Sequence, residues 1–86
     1  MSDLAVFSRR AQIAAIVDTL LVRKKIAPGV EVDEDLHDRG LTSLDMVKLM
    51  LAVEDEFGIE FPQRELTRDN FRTIAALERL VRRVAD

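Results

Sequence analysis

Apolar residues recur at helical spacing along most of the chain, separated by polar ones. The first stripe predicts a helix over about residues 8–24. A second helix is predicted over 42–57, ending before Gly58, where a left-handed C-cap is easily formed. A short turn is predicted over 66–70 and a last helix over 72–84, and no segment alternates with period two for long enough to predict a strand. The apolar positions of the first stripe are Ile13, Ile16, Val17, Leu20 and Leu21.

These elements predict an all-α fold, a small four-helix bundle whose third helix is short, in a single domain covering residues 1–86. A chain of 86 residues leaves no room for a second core. Hydrophobic residues make up 48% and charged residues 34%, a balance typical of folded rather than disordered chains. Between the first two helices, Val30–Gly40 is predicted to be an acidic loop held to the core by isolated apolar side chains.

The second predicted helix carries more apolar surface than a core requires. One set of residues is predicted to form its core face, and a second set lies on a neighbouring face. Because acids are interspersed, the second face would suit the basic, partly apolar patch of a partner, while burial of the whole stripe between helices is the alternative. The core set is Met46, Met50, Val53 and Phe57, and the second set is Leu44, Val47 and Leu51.

The net charge of −3 conceals an uneven distribution along the chain. Ten acidic and two basic residues lie between Glu31 and Glu60, and the rest of the chain is basic. Such an acidic segment either serves a basic partner or is a solvated surface, and composition alone leaves both open. A general nucleic-acid binder would lean basic overall, so no nucleic-acid partner is predicted.

Composition and spacing exclude several other classes of function. Without cysteine the chain has no disulfide framework, thiol nucleophile or zinc–cysteine cluster. The spacing of Asp33, Asp35 and Asp38 does not fit a calcium-binding loop, and His37 is the only histidine. No metal site and no catalytic residue are therefore predicted, and the protein is not expected to be an enzyme. Met1–Arg10 lacks the apolar run of a signal peptide, and no stretch approaches the roughly 18 apolar residues of a membrane span, so a cytoplasmic protein is expected.

The start of the second helix is the best candidate for chemistry. Thr42 is a good N-cap and Asp45 can complete a capping box, which places Ser43 at the first helical position with its hydroxyl pointing outward. Open backbone amides and the positive end of the helix dipole favour an anion there, such as a phosphodiester attached to Ser43. Many helices begin with Thr-Ser, so a purely structural role stays open on spacing alone.

Two motifs resemble those of the acyl carrier protein family: Gly40-Leu41-Thr42-Ser43-Leu44-Asp45 and Glu54-Asp55-Glu56-Phe57-Gly58-Ile59-Glu60-Phe61-Pro62. The resemblance covers roughly Leu36–Leu80 and implies a four-helix bundle. It implies that Ser43 receives 4′-phosphopantetheine covalently from coenzyme A, and that the thiol of this arm carries an acyl or aminoacyl group as a thioester. It also implies docking of partner enzymes onto an acidic second helix through Leu44, Asp45, Val47, Leu51, Glu54 and Asp55.

The implied partners are a phosphopantetheinyl transferase, an acyl- or aminoacyl-loading ligase and a downstream acyltransferase or synthase, all acting on a monomer. The family usually has aspartate where this chain has Thr42, and Lys48 reduces the acidity of the second helix. Both differences favour a specialised carrier. Leu66-Thr67-Arg68 with Phe71 also resembles stand-alone carriers loaded with amino acids, such as D-alanyl carrier proteins and those served by truncated synthetase-like ligases. The alternative hypothesis is an unmodified helical adaptor that binds protein partners through the same acidic helix.

Overall fold

The computed structural model describes residues 8–86, and every regular element within that range is helical, which confirms the predicted all-α class. The elements in chain order are α1 Arg9–Arg23, α2 Ser43–Phe57, two single 3-10 turns at Gln63–Glu65 and Asp69–Phe71, and α3 Ile74–Ala85. None of the helices within 8–86 is long and apolar enough to cross a membrane. The prediction that Met1–Arg10 is not a signal peptide concerns residues that lie mostly outside the described range. Residues 1–7 of the predicted domain lie outside it as well.

The short helical turn predicted over 66–70 is a 3-10 turn at Asp69–Phe71, preceded by a second one at Gln63–Glu65. In this region, the side chains of Thr67 and Asn70 form hydrogen bonds with backbone groups. Asn70 Nδ2 donates to the Glu65 carbonyl oxygen at 2.8 Å, and the Asn70 amide donates to Thr67 Oγ1 at 3.3 Å. Local bonds of this kind compete with continuous helical pairing, and the two separated 3-10 turns are what remains.

Side chains and one glycine define the helix ends. Ser8 Oγ accepts from the Ala11 amide at 3.2 Å at the start of α1, and Thr73 Oγ1 accepts from the Ala76 amide at 2.9 Å at the start of α3. Helix α2 ends at Gly58, whose φ of +63° is the left-handed conformation that glycine adopts without strain. The α2 helix is therefore fixed at its C-terminal end by the geometry of a single residue.

The hydrophobic core lies where α1 packs against both α2 and α3. Phe61 and Phe71, from the connection between α2 and α3, add an edge-to-face aromatic pair with ring centres 5.6 Å apart. The side chains with no exposed surface include Ile13, Val17, Leu21, Leu36, Leu49, Val53, Leu77, Leu80 and Val81.

The predicted core face of α2 is only partly right. Val53 is fully buried, but Met46, Met50 and Phe57 are half-buried, and the central core residue of the helix is Leu49. The physical reason is that α1 packs against α2, and Leu49 belongs to the buried core cluster on the packed side of the helix. The side with Met46 and Met50 faces the short connection to α3, which covers it less completely.

The acidic loop between α1 and α2 is held in place by hydrogen bonds to other parts of the chain. The Arg39 guanidinium donates to the carbonyl oxygens of Ala27 and Pro28 at 3.1 and 3.2 Å. Leu36 is fully buried, and its amide donates to the Arg72 carbonyl oxygen at 2.9 Å. These contacts fix the chain just before α2 and so determine where the first turn of that helix lies.

Candidate functional site at the start of helix α2

Reciprocal hydrogen bonds between Thr42 and Asp45 close the first turn of α2. Thr42 Oγ1 accepts from the Asp45 amide at 3.2 Å, and Asp45 Oδ2 accepts from the Thr42 amide at 2.8 Å and from the Thr42 hydroxyl at 3.0 Å. This capping box pairs two of the four amides that a helix start leaves open. The other two amides, those of Ser43 and Leu44, have no partner within the part of the chain that the structure describes.

Ser43 is the first residue of α2, and its side chain is exposed. The hydrogen bonds of this turn engage Thr42 and Asp45 and leave the Ser43 hydroxyl free within residues 8–86. The open amides of Ser43 and Leu44 and the positive end of the helix dipole lie beside that hydroxyl, and such groups stabilise an anion. The residues present therefore fit a phosphodiester on Ser43 Oγ.

Asp45 lies beneath this turn rather than on the surface. It is only 4% exposed, and its carboxylate forms an ion pair with Lys24, the C-cap residue of α1. Hydrogen bonds from the Lys24 side chain, and then from Thr42, lower the pKa of Asp45 to about 2, against the opposing effect of burial. The docking role predicted for Asp45 is therefore corrected: its carboxylate joins the end of α1 to the start of α2 and is not presented to a partner.

This ion pair predicts an acid-sensitive contribution to stability. An aspartate in an unfolded chain titrates near pH 3.9, whereas folded Asp45 has a pKa of about 2. Ionised Asp45 therefore stabilises the fold above about pH 4, and that contribution disappears as the pH falls towards 2. We expect the difference in free energy of unfolding between wild type and Asp45→Asn to be largest at pH 6 and to shrink steadily below pH 4, measured by urea denaturation.

The matched control for this experiment is Asp55→Asn, because Asp55 is exposed and forms no ion pair among residues 8–86. Its difference from wild type should be small at every pH. A difference for Asp45→Asn that stays constant from pH 6 to pH 2 would contradict the assigned ion pair.

An apolar pocket of about 350 Å³ opens beside Ser43, between α2 and the connection to α3. Its apolar walls are Met46, Val47, Met50, Leu66 and Phe71. Its polar lining comes from His37, Ser43, Thr67 and Arg68. A pocket of this size and polarity suits a flexible organic group. Sequence spacing did not reveal it, because only the fold brings the connection to α3 against α2.

The other predicted docking residues occupy different positions on α2. The second apolar face is at the surface rather than buried, with exposed fractions of 66% for Leu44, 48% for Val47 and 55% for Leu51. Asp55 is exposed as well. Glu54 is half-buried, and its Oε2 accepts a hydrogen bond from the Phe61 amide at 2.8 Å. Glu54 therefore holds the chain that follows α2, in addition to any contact with a partner.

The comparison with known proteins agrees with this geometry. The family model described as phosphopantetheine attachment site matches residues 11–81. The chain belongs to the acyl carrier protein family. The carrier is 44% identical over 72 residues to aminoacyl carrier protein 1 of Bradyrhizobium diazoefficiens, a match that covers 84% of this chain and 80% of the relative. It is 43% identical over 54 residues to the aminoacyl carrier protein of Agrobacterium fabrum, covering 63% of this chain and 65% of the relative.

Solved structures extend the similarity to three dimensions. The carrier matches a chain in the crystal structure of Bradyrhizobium japonicum glycine:[carrier protein] ligase complexed with its cognate carrier protein and an analogue of glycyl adenylate. That match has a TM-score of 0.80 and 41% identity, and it covers 87% of this chain and 96% of the other. The acyl carrier protein MacpD of Pseudomonas fluorescens matches with a TM-score of 0.69 and 27% identity, covering 84% of this chain and 66% of the other.

These findings confirm the predicted family and the function that the resemblance implied. The carrier bears a covalently attached 4′-phosphopantetheine group and carries acyl or aminoacyl groups on it. Membership of this family supports a modified carrier and not the alternative hypothesis of an unmodified helical adaptor.

Proposed function

We propose that Ser43 is the residue that bears the phosphopantetheine arm and that the cargo is an amino acid delivered by a loading ligase. One observation carries the assignment of Ser43. Its hydroxyl is exposed at the first position of α2, free of hydrogen bonds within the described residues and next to the open amides of Ser43 and Leu44.

The residues around Ser43 have defined parts in holding the arm. On a separate transferase, Ser43 Oγ would attack the phosphorus of coenzyme A that bears the pantetheine. The bond from that phosphorus to the bridging oxygen of the pyrophosphate breaks, adenosine 3′,5′-bisphosphate leaves, and the hydroxyl proton passes to a base of the transferase. The product is a phosphodiester at the helix start. The Ser43 and Leu44 amides would hold that phosphodiester by donating to it, and the helix dipole would add to its stabilisation. The capping box of Thr42 and Asp45 pairs only the amides of those two residues. The amides of Ser43 and Leu44 therefore remain available to the phosphate.

The arm, when attached, supplies a terminal thiol on which the cargo is held as a thioester. The choice of an amino acid rests on the relatives, since the similar carriers of Bradyrhizobium and Agrobacterium are named aminoacyl carrier proteins. The similar solved chains also come from complexes of a glycine:[carrier protein] ligase, one of them with glycylated carrier protein.

The remaining partners follow from the same proposal. A phosphopantetheinyl transferase attaches the arm, an aminoacyl ligase loads it, and a downstream acyltransferase or synthase receives the cargo. Catalysis belongs to those enzymes, while this protein supplies recognition and a mobile tether as a cytoplasmic monomer. With Thr42 before Ser43 instead of aspartate, the transferase receives no carboxylate from that position.

Intact mass spectrometry tests the proposal directly. Incubation with coenzyme A and a broad-specificity phosphopantetheinyl transferase should add one arm, and fragmentation should localise it to Ser43. Subsequent incubation with glycine, ATP and the Bradyrhizobium japonicum ligase should add one glycyl group, released by hydroxylamine as expected of a thioester. A protein left unmodified by several transferases, or an arm on another residue, would overturn the assignment of Ser43.

A further inference from the structure

The pocket beside Ser43 contains a cation without a counter-ion. Arg68 is exposed and lines this pocket, and the described residues that line it include no aspartate or glutamate. Arg68 also forms no ion pair within residues 8–86. The positive charge of Arg68 is therefore available to an anion at the pocket.

The backbone of Arg68 is held by a turn that is anchored in the core. Its carbonyl oxygen accepts a hydrogen bond from the Phe71 amide at 3.1 Å, which closes the turn at Asp69–Phe71. Phe71 is 6% exposed, and its ring packs edge-to-face against Phe61. Ser43 lines the pocket from α2 and Arg68 lines it from the connection to α3, so the fold brings the two residues together from different elements.

A phosphodiester on Ser43 would place a negative charge at the pocket that Arg68 lines. The planar guanidinium of arginine can donate to two phosphate oxygens at once, which adds geometric specificity to the attraction between charges. The open amides of Ser43 and Leu44 would hold the same phosphodiester from the helix side. Lys48, the basic residue of α2, does not line this pocket.

We propose that Arg68 is a positioning residue for the arm, and that its guanidinium pairs with the phosphodiester on Ser43. The inference rests on the proposed function, because it takes Ser43 as the attachment point. The pair joins the start of α2 to the connection before α3, and it forms only after the arm has been attached. Single 3-10 turns are weakly held by their own hydrogen bonds. Attachment of the arm should therefore restrain the turn at Asp69–Phe71.

Amide hydrogen exchange followed by NMR measures this restraint without any ligase. The Phe71 amide reports on it most directly, because it donates to the Arg68 carbonyl oxygen. Attachment of the arm should slow exchange of this amide about threefold in the wild type, as expected for one exposed charge pair. In about 0.5 M NaCl, where exposed charges are largely screened, most of that slowing should disappear.

Three variants separate the charge of Arg68 from its place in the fold. Arg68→Gln should exchange like the wild type before attachment and show no slowing after it, whereas a purely structural role would change exchange before attachment. Arg68→Lys keeps the charge without the planar fork and should retain a slowing of about twofold. The matched control is Arg64→Gln, because Arg64 is an exposed arginine of the same connection that does not line the pocket. This control should slow as the wild type does.

The outcomes distinguish this inference from the proposed function. Intact mass and fragmentation first establish whether each protein carries one arm on Ser43. A wild type without an arm, or with the arm on another residue, overturns the proposed function and this inference with it. With the arm on Ser43, equal slowing in wild type and Arg68→Gln overturns the inference alone, as does slowing of the wild type that persists in about 0.5 M NaCl. If the transferase does not modify Arg68→Gln, the salt dependence of the wild type decides between the two results.

Discussion

Replacing Ser43 with alanine should abolish attachment of the arm and leave the free energy of unfolding within about 0.5 kcal/mol of wild type. The first effect follows because no other atom of the side chain replaces the nucleophilic Oγ. The second follows because the Ser43 hydroxyl makes no hydrogen bond within the described residues, and alanine is well tolerated in a helix. Intact mass after incubation with coenzyme A and transferase measures the first effect, and urea denaturation measures the second.

Ser8→Ala is the matched control, because it removes the same hydroxyl at the start of another helix. Ser8 caps α1, so its loss should cost about 1 kcal/mol of stability while attachment of the arm stays complete. The two serines thus separate a chemical role from a structural one. An arm retained on Ser43→Ala, or lost from Ser8→Ala, would place the attachment point elsewhere.

Leu49→Ala should destabilise the protein more than any other leucine-to-alanine change in α2. Leu49 is fully buried in the core between the helices, and truncating a buried leucine to alanine costs about 2–5 kcal/mol through lost burial and the cavity left behind. For a domain of this size such a loss is a large fraction of the total stability. Chemical denaturation at pH 7 gives the difference directly.

Leu51→Ala, two residues further along the same helix, is the control for that experiment. Leu51 is 55% exposed, so its truncation should change the free energy of unfolding by less than about 0.5 kcal/mol. The pair should also show opposite phenotypes, with Leu49→Ala affecting stability and Leu51→Ala affecting ligase loading. Equal losses of stability for the two variants would contradict the orientation of α2.

The helices and the start of α2 could be predicted because their causes are local in the sequence. A threonine followed three residues later by Asp45 suffices for the capping box, and that box alone places Ser43 at the first helical position. Gly58 likewise ends α2 through its own backbone conformation. The candidate for attachment was therefore visible before any tertiary contact was known.

The orientation and the charge of α2 could not be predicted, because they depend on residues distant along the chain. Helical periodicity identifies an apolar stripe but not which side of it the other helices cover, so Leu49 was missed as the centre of the core face. Asp45 is paired with Lys24, 21 positions away, and Glu54 with the backbone of Phe61. Counting acids therefore missed that Lys24 compensates the charge of Asp45 and that Glu54, still charged, also holds the connection after the helix.

The ion pair between the first and last helices has a practical consequence for experiments on immobilised protein. Arg9 forms two hydrogen bonds to Asp86, at 3.0 and 2.8 Å, so the start of α1 and the end of α3 lie side by side. Helix α1 has 15 residues, which separates this end from Lys24, beneath the Ser43 turn, by about 22 Å. A fluorophore or sensor-chip tether attached at position 86, next to the end of α3, would therefore stand clear of Ser43, leaving the arm free to reach enzymes supplied in solution.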